Sequence, residues 1–371
     1  MAEPLRNYFG PEIPARIAAM ISAVDPSFPA DAFVADATAG LDSLELLPRG
    51  WHIADALHRH LPADFERAAE TLKASLVPRL RPSEGGMGSF VFLPHVFYVA
   101  RYGVDHLEAA LDLQYELTRR FTAEFSIRAF LERYPEQTLA RLRVWARDPD
   151  AHVRRLVSEG TRPRLPWAPR LRAFQKDPRP VLELLELLKD DPELYVRRSV
   201  ANNLNDIGKD HPDLLVETCR RWLIDASEER AWLIRHALRS AIKRGNIGAL
   251  GLLGYGETPA VCIDNVVITP ERAAIGGTVT VSFEVRSTSQ HRQSLLVDFR
   301  LFYVKADGST SPKVFKLKTA ELAPYATVPF RKTISLRQMR TRTHYPGEHR
   351  VEVLVNGIAF PAGMFAIEER S

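Results

Sequence analysis

The chain has 371 residues, 45% of them hydrophobic and 26% charged, with a formal net charge of +4. That length suffices for two domains with sizeable cores, and the balance excludes a disordered or membrane-embedded chain, since no apolar run approaches the roughly 20 residues that span a bilayer. The only cysteines, Cys219 and Cys262, lie far apart without a CxxC, which argues against a disulfide framework, a structural zinc site or an iron–sulfur cluster.

The N-terminal MAEPLRNYFGPEIPAR has no basic stretch leading into an apolar one, so no secretion signal is expected and a reducing cytoplasm is the expected compartment. Residues 1–50 read as short helices broken by Pro26, Pro29, Gly40 and Pro48, a capping unit. From Trp51 to Leu80 come two helical patterns, WHIADALHRHL and FERAAETLKASL. Arg81 to Ser89, RPSEGGMGS, reads as a loop; its GGMG lacks the preceding strand and the GK[ST] of a phosphate-cradling loop. Phe90 to Tyr102 is aromatic-rich, with Gly103 as a helix stop, and His106 to Tyr134 gives a long helical tract interrupted near Thr122.

A repeat then emerges. Asp148-Pro149 and Asp191-Pro192 are each followed by xxxVRRxV, so Val153, Arg154, Arg155 and Val157 align with Val196, Arg197, Arg198 and Val200 at an offset of 43 residues. Looser copies start at Ile127 and Ile234, and intervening helices open at Pro135, Pro180 and Pro212. Two helices per unit at a spacing near forty residues are the signature of a HEAT-like solenoid, whose units bury their apolar faces only by stacking. In the unit at Leu194, Val196, Val200, Leu204 and Ile207 make one apolar stripe, and Arg198, Asn202 and Asp206, four apart, share a second face. Arg162 to Pro169, RPRLPWAP, cannot be an uninterrupted helix and reads as a stiff basic loop carrying a tryptophan.

The helical period is lost between Gly245 and Pro259, and from Val261 alternation takes over. About seven short strands make a sandwich of roughly 100 residues, immunoglobulin-like, with a two-residue hairpin turn at Asp307-Gly308. The expected fold is therefore multidomain, α then β: a HEAT-like α-solenoid over residues 1–254, then an immunoglobulin-like β-sandwich over 259–371. Charge is unevenly spread. From Thr258 onward there are 15 Lys and Arg against 10 Asp and Glu, and from Arg119 to Arg172 there are 13 Arg, no Lys and 6 acids. An Arg-only basic segment suits forked contacts to phosphate.

Three blocks, AEFSIRAFL from Ala123, VRRLVSEGTRPRLPW from Val153 and VRRSVANNLNDIGKDHP from Val196, together with the C-terminal sandwich, resemble the AlkC branch of the AlkC/AlkD DNA glycosylases. The resemblance covers nearly the whole chain. It implies hydrolysis of the base–sugar bond of cationic N-alkylated bases, chiefly 3-methyladenine and 3-methylcytosine, with the lesion held in bent, opened DNA rather than flipped out. It also implies that the partner is double-stranded DNA containing alkylated bases, that the protein is a nucleoid-associated monomer with neither cofactor nor metal, and that the sandwich helps grip DNA.

A cationic base is already an activated leaving group, so the protein need only stabilise an oxocarbenium-like sugar and position water, which carboxylates do. Glu159, Asp206 and Glu124 are the candidates: Glu159 aligns with Asn202, and Asp206 lies one turn beyond, so both should project toward a common surface. The bland alternative makes each acid half of an i,i+4 salt bridge on a solvated face. Trp167 is placed against the sugar or the cationic base, or else packs on its own repeat. Arg155, Arg162, Arg164, Arg198 and Lys209 are expected to clamp phosphates, and Lys316 and Lys318, alternating with Phe315 and Leu317, to share one exposed strand face. Two rival readings stay open, a non-enzymatic HEAT scaffold and a nucleic-acid binder without chemistry.

Overall fold

The structure is a computed structural model that describes residues 5–76, 87–339 and 342–369. The RPSEGGMGS segment lies outside the described residues except for its end, which enters a 3-10 turn at Met87–Phe92. Among the described residues no helix is long and apolar enough to cross a membrane. The chain divides into two compact units, Met1–Asp210 with Ala226–Ala237, and His211–Asp225 with Leu238–Ser371.

The first unit is helical. It begins with α1 (Glu12–Ser22), α2 (Ala30–Thr38), α3 (Leu46–His60), α4 (Phe65–Ser75), α5 (Leu93–Tyr102) and α6 (Leu107–Thr118). Pro48 does not break a helix as expected. It sits in the first turn of α3, where the N–H it lacks has no intrahelical acceptor to lose. Ile53 and Leu57 of α3 join Phe9, Phe33, Val96, Phe97 and Leu113 in one apolar core, and Trp51 stacks on Phe97 with centroids 4.1 Å apart. The tract after α6 breaks near Thr122, as its sequence suggests, and resumes as α7 (Ile127–Arg133).

The repeat follows as α8 (Pro135–Trp145), α9 (Ala151–Gly160), α10 (Arg172–Lys176), α11 (Arg179–Leu188) and α12 (Leu194–Asp210). The stripe of Val196, Val200, Leu204 and Ile207 is buried, matching Val153, Leu156 and Val157 on α9. The DPxxxVRR motif now has a physical account. Its first arginine turns back onto the carbonyls that precede the helix: Arg154 Nη1 donates to Asp148 O (2.9 Å) and Pro149 O (3.0 Å), and Arg197 Nη1 to Asp191 O (2.6 Å) and Pro192 O (2.8 Å). Arg154 also reaches the next copy of the motif, donating through Nε to Asp191 Oδ2 at 2.6 Å. The first arginine is thus structural, and the second, Arg155 or Arg198, is left for other work.

The second unit contains α13 (Pro212–Leu223), the end of α14 (Glu228–Lys243), α15 (Ile247–Gly251) and a two-sheet sandwich. Its strands are β1 (Val261–Thr269), β2 (Arg272–Ala274), β3 (Thr278–Ser287), β4 (Gln293–Val304), β5 (Thr310–Leu322), β6 (Thr327–Ser335), β7 (Gly347–Val355) and β8 (Ile358–Glu368). One sheet has the order β1-β3-β6 and the other β2-β8-β7-β4-β5. Alternate residues Val279, Val281, Phe283 and Val285 of β3 face Val297, Phe299 and Leu301 of β4 across a shared core. The strand beyond the expected seven is the three-residue β2, parallel to β8. The β4–β5 hairpin exists, but its turn spans Lys305–Ser309 rather than two residues, with Gly308 left-handed at φ 76°. Within this unit the Asn356-Gly357 turn between β7 and β8 meets the end of the helices. A Cβ on Gly357 would lie 2.8 Å from Leu250 and 2.9 Å from the Cα of Gly245, so only glycine permits the approach.

Candidate active site

The three candidate carboxylates are strung on alternating charges within the first unit. Glu124 Oε2 accepts from Arg155 Nη1 at 2.6 Å and from Thr122 Oγ1 at 2.9 Å. Arg155 reaches on to Glu159 Oε1 at 3.5 Å, and Arg162 Nη1 donates to the same oxygen at 2.6 Å. Arg162 Nε then donates to Asp206 Oδ2 at 2.8 Å, and Lys209 Nζ closes the series on Asp206 Oδ1 at 2.7 Å. One guanidinium, that of Arg162, therefore joins the carboxylates of α9 and α12, so the repeat offset brings the two acids near each other, although only Glu159 reaches a cavity. The solvated-face alternative does not hold for Glu159 and Asp206, which are buried, Asp206 to 1% exposure.

Burial alone would raise the Glu159 carboxyl, but Arg155 and Arg162, with the Ser199 hydroxyl, outweigh it and hold the group below its usual range. Ser199 Oγ donates to Glu159 Oε2 at 2.6 Å and is itself 2.7 Å from Ser158 Oγ. Both oxygens of Glu159 and both of Asp206 are thus engaged. Glu124 differs. Both of its side-chain bonds, from Thr122 and Arg155, use Oε2, which leaves Oε1 uncommitted among the described residues.

Glu124 and Glu159 open into a cavity of about 260 Å³ whose walls are Leu47, Phe90, Leu93, Phe121, Thr122, Phe125, Leu165, Pro166 and Trp167. Neither Asp206 nor Arg162 is among the lining side chains; Asp206 is joined through Arg162 to Glu159, which is. Trp167 stands at its rim, 61% exposed, with a left-handed φ of 64° that a bulky residue rarely adopts. It does not pack inside its own repeat. Phe90 and Phe121 lie with centroids 5.2 Å apart. Leu47, Phe90, Leu93, Phe121 and Phe125 were not legible as site residues, since apolar side chains at helical spacing read as core; only the aromatic density around Phe90 offered a signal.

The expected phosphate clamps separate into two groups. Arg155 and Arg162 are committed to carboxylates, and Arg155 also lies 5.2 Å from the Tyr195 ring centroid, so in this structure they organise the acids rather than wait for phosphate. Arg164 is forked onto Asp210 (Nε–Oδ2 2.9 Å, Nη2–Oδ1 2.5 Å), and Lys209 onto Asp206. Arg198 is exposed and has no ion-pair partner among the described residues. On the sandwich, the common face expected for Lys316 and Lys318 is not found. Leu317 is the extra residue of a β-bulge, so Lys316 pairs with Asp298 and Lys318 with Val297, which point to opposite sides of the sheet. Lys318 Nζ lies 5.8 Å from the Phe330 ring centroid. Among the described residues no three His, Cys, Asp or Glu side chains form a group that could hold a metal ion.

Residues 121–244, which hold Glu124, Glu159, Asp206 and Trp167, match the family described as DNA alkylation repair enzyme, and residues 262–369 match the one described as Uncharacterised protein YhaZ, C-terminal Ig-like domain. The protein YhaZ of Bacillus subtilis (strain 168) is 35% identical over 314 residues, 85% of either chain. The structure of Pseudomonas fluorescens alkylpurine DNA glycosylase AlkC, bound to DNA containing an abasic site analog, superposes with a TM-score of 0.91 at 40% identity, covering 99% of this chain and 100% of that one. The chain belongs to the AlkC family. As an AlkC-family member it is a DNA glycosylase in which an N-terminal helical-repeat region precedes an Ig-like sandwich. The scaffold and simple-binder readings give way to that membership. The AlkC frame also gives the paired VRR blocks a reason to sit where they do, since α9 and α12 hold Glu159 and Asp206 on one guanidinium.

Proposed function

We propose that the chain hydrolyses the base–sugar bond of cationic N-alkylated bases, chiefly 3-methyladenine and 3-methylcytosine, in double-stranded DNA. It works as a monomer at the nucleoid, with no cofactor or metal, and without extruding the base. The observation that carries this reading is the convergence of Glu124, Glu159 and Trp167 on one aromatic-walled cavity. A relative captured on DNA with an abasic site analog, the product class of such a reaction, supports it.

In this reading the C1′–N bond breaks with its electron pair departing on the base, which leaves neutral. Glu159, held ionised by two arginines, and the Trp167 ring offset the positive charge that builds on the sugar; an aromatic face contributes about 0.5–2 kcal/mol. Glu124 Oε1, the uncommitted oxygen, orients the attacking water and takes its proton. Arg198 and the basic sandwich hold phosphates without reading sequence. The deciding experiment measures free base released from duplex DNA carrying methylated bases, with and without a strong chelator. Release unaffected by the chelator is expected. No release would sink the reading, and a loss that zinc or magnesium restores would sink its metal-free part.

A further inference from the structure

Arg128, in the first turn of α7, has no carboxylate partner among the described residues although the residue is only 4% exposed. It donates instead to three backbone carbonyls far along the chain: Nη1 to Gly160 O (3.1 Å) and Arg162 O (2.8 Å), and Nη2 to Pro169 O (2.5 Å). Its Nε has no hydrogen-bond partner among the described residues. The carbonyls of Gly160 and Pro169 bracket residues 161–168, the segment that bears Arg162, Arg164 and Trp167, and the carbonyl of Arg162 lies within it.

The segment's side chains are tied, Arg162 to Glu159 and Asp206 and Arg164 to Asp210, but its backbone has few bonds of its own among the described residues. Pro163, Pro166 and Pro169 cannot donate, and the weak internal bonds include Ala168 N–H to Leu165 O at 3.4 Å and Leu171 N–H to Pro163 O at 3.3 Å. Trp167 nevertheless keeps a left-handed backbone, a costly conformation for a bulky residue that persists only where its surroundings over-determine it. Its exposed ring is not what holds it. We propose that Arg128 is a positioning residue for base excision: its fork fixes both ends of the segment, so that Trp167 stays at the cavity rim and Arg162 stays between Glu159 and Asp206. A lysine carries the same charge on a single point and cannot span three carbonyls.

The test compares full-length wild type, Arg128→Lys and Arg128→Ala, each also in a Trp167→Phe background so that the Trp167 emission is obtained by difference from the other tryptophans. For both Arg128 variants we expect single-turnover base release to fall about 100-fold, the scale set by a displacement near 1 Å. DNA affinity should stay within about threefold, and the Trp167 emission should become more accessible to acrylamide. Low-millimolar guanidinium should restore release and shield Trp167 in Arg128→Ala. Wild-type release by a folded Arg128→Lys overturns the inference. So does a loss of release with Trp167 quenching unchanged, or with a lowered melting temperature and no guanidinium rescue, since either marks Arg128 as a packing residue only. The inference rests on the glycosylase reading; if wild type itself releases no base, that reading fails, while the Trp167 quenching still reports on the Arg128 clamp.

Discussion

Glu159 and Asp206 are buried carboxylates with cations packed against them, and that makes each both a chemical group and a structural one. Removing one member of a buried pair typically costs about 3–5 kcal/mol, because the partner is left uncompensated. Glu159→Gln and Asp206→Asn should therefore abolish turnover and also lower the melting temperature, with duplex affinity of the folded fraction within a few-fold of wild type. Wild-type turnover in both variants would remove the carboxylates from the mechanism. A second expectation follows from the sign of the Glu159 shift. A carboxyl held below its usual range contributes stability and activity that are complete above the ordinary value of 4.5 and are lost as pH falls through the lower folded value. In Arg162→Gln burial is left opposed by Arg155 and Ser199 alone, so the acid limb of the single-turnover rate should move to higher pH; an unmoved limb would mean that Arg162 does not hold Glu159 ionised. The acids were legible in the sequence because they ride on a repeated motif whose offset brings them near each other. Their partners were not. Spacing pairs Glu124 with Arg128, four residues on, whereas the fold gives Glu124 to Arg155 and Arg128 to a loop, and that choice is made by helix packing across more than thirty residues.

At the scale of elements, the proline-opened helices and the stripe on α12 were readable from local rules, since periodicity and a missing N–H act within one turn. The bulge in β5 was not. One extra residue, Leu317, reverses which way the following side chains point, and nothing in an alternating sequence announces where pairing will slip. The expectation for the sandwich changes accordingly. A duplex meeting one side of the sheet meets Lys316 or Lys318, so charge reversal of the two should weaken DNA binding unequally, and only the more damaging change should make log Kd less steep in log salt, by about one phosphate contact. Equal losses from Lys316→Glu and Lys318→Glu would mean that both reach DNA despite the bulge.

For the whole molecule, composition changes character near Gly254, but the compact units divide elsewhere, with residues 211–225 and 238–371 grouped together. Truncation after Gly256 would strip α13 and α15 of the sheet they accompany. The truncated chain should bind duplex weakly, excise poorly and melt below the full-length protein; an equally stable, equally active truncation would show that the sandwich contributes nothing to either property. The close meeting of Gly245 and Gly357 has a further consequence for how this architecture can be traded between proteins. A shuffling event or an engineer that cuts at the visible change of composition would leave the β7–β8 turn without the helix end that it was shaped to admit. The sandwich is expected to travel only with the helix ends that meet it, and because residues 226–237 belong to the first unit, a graft cut between Gly245 and the first strand is expected to fail.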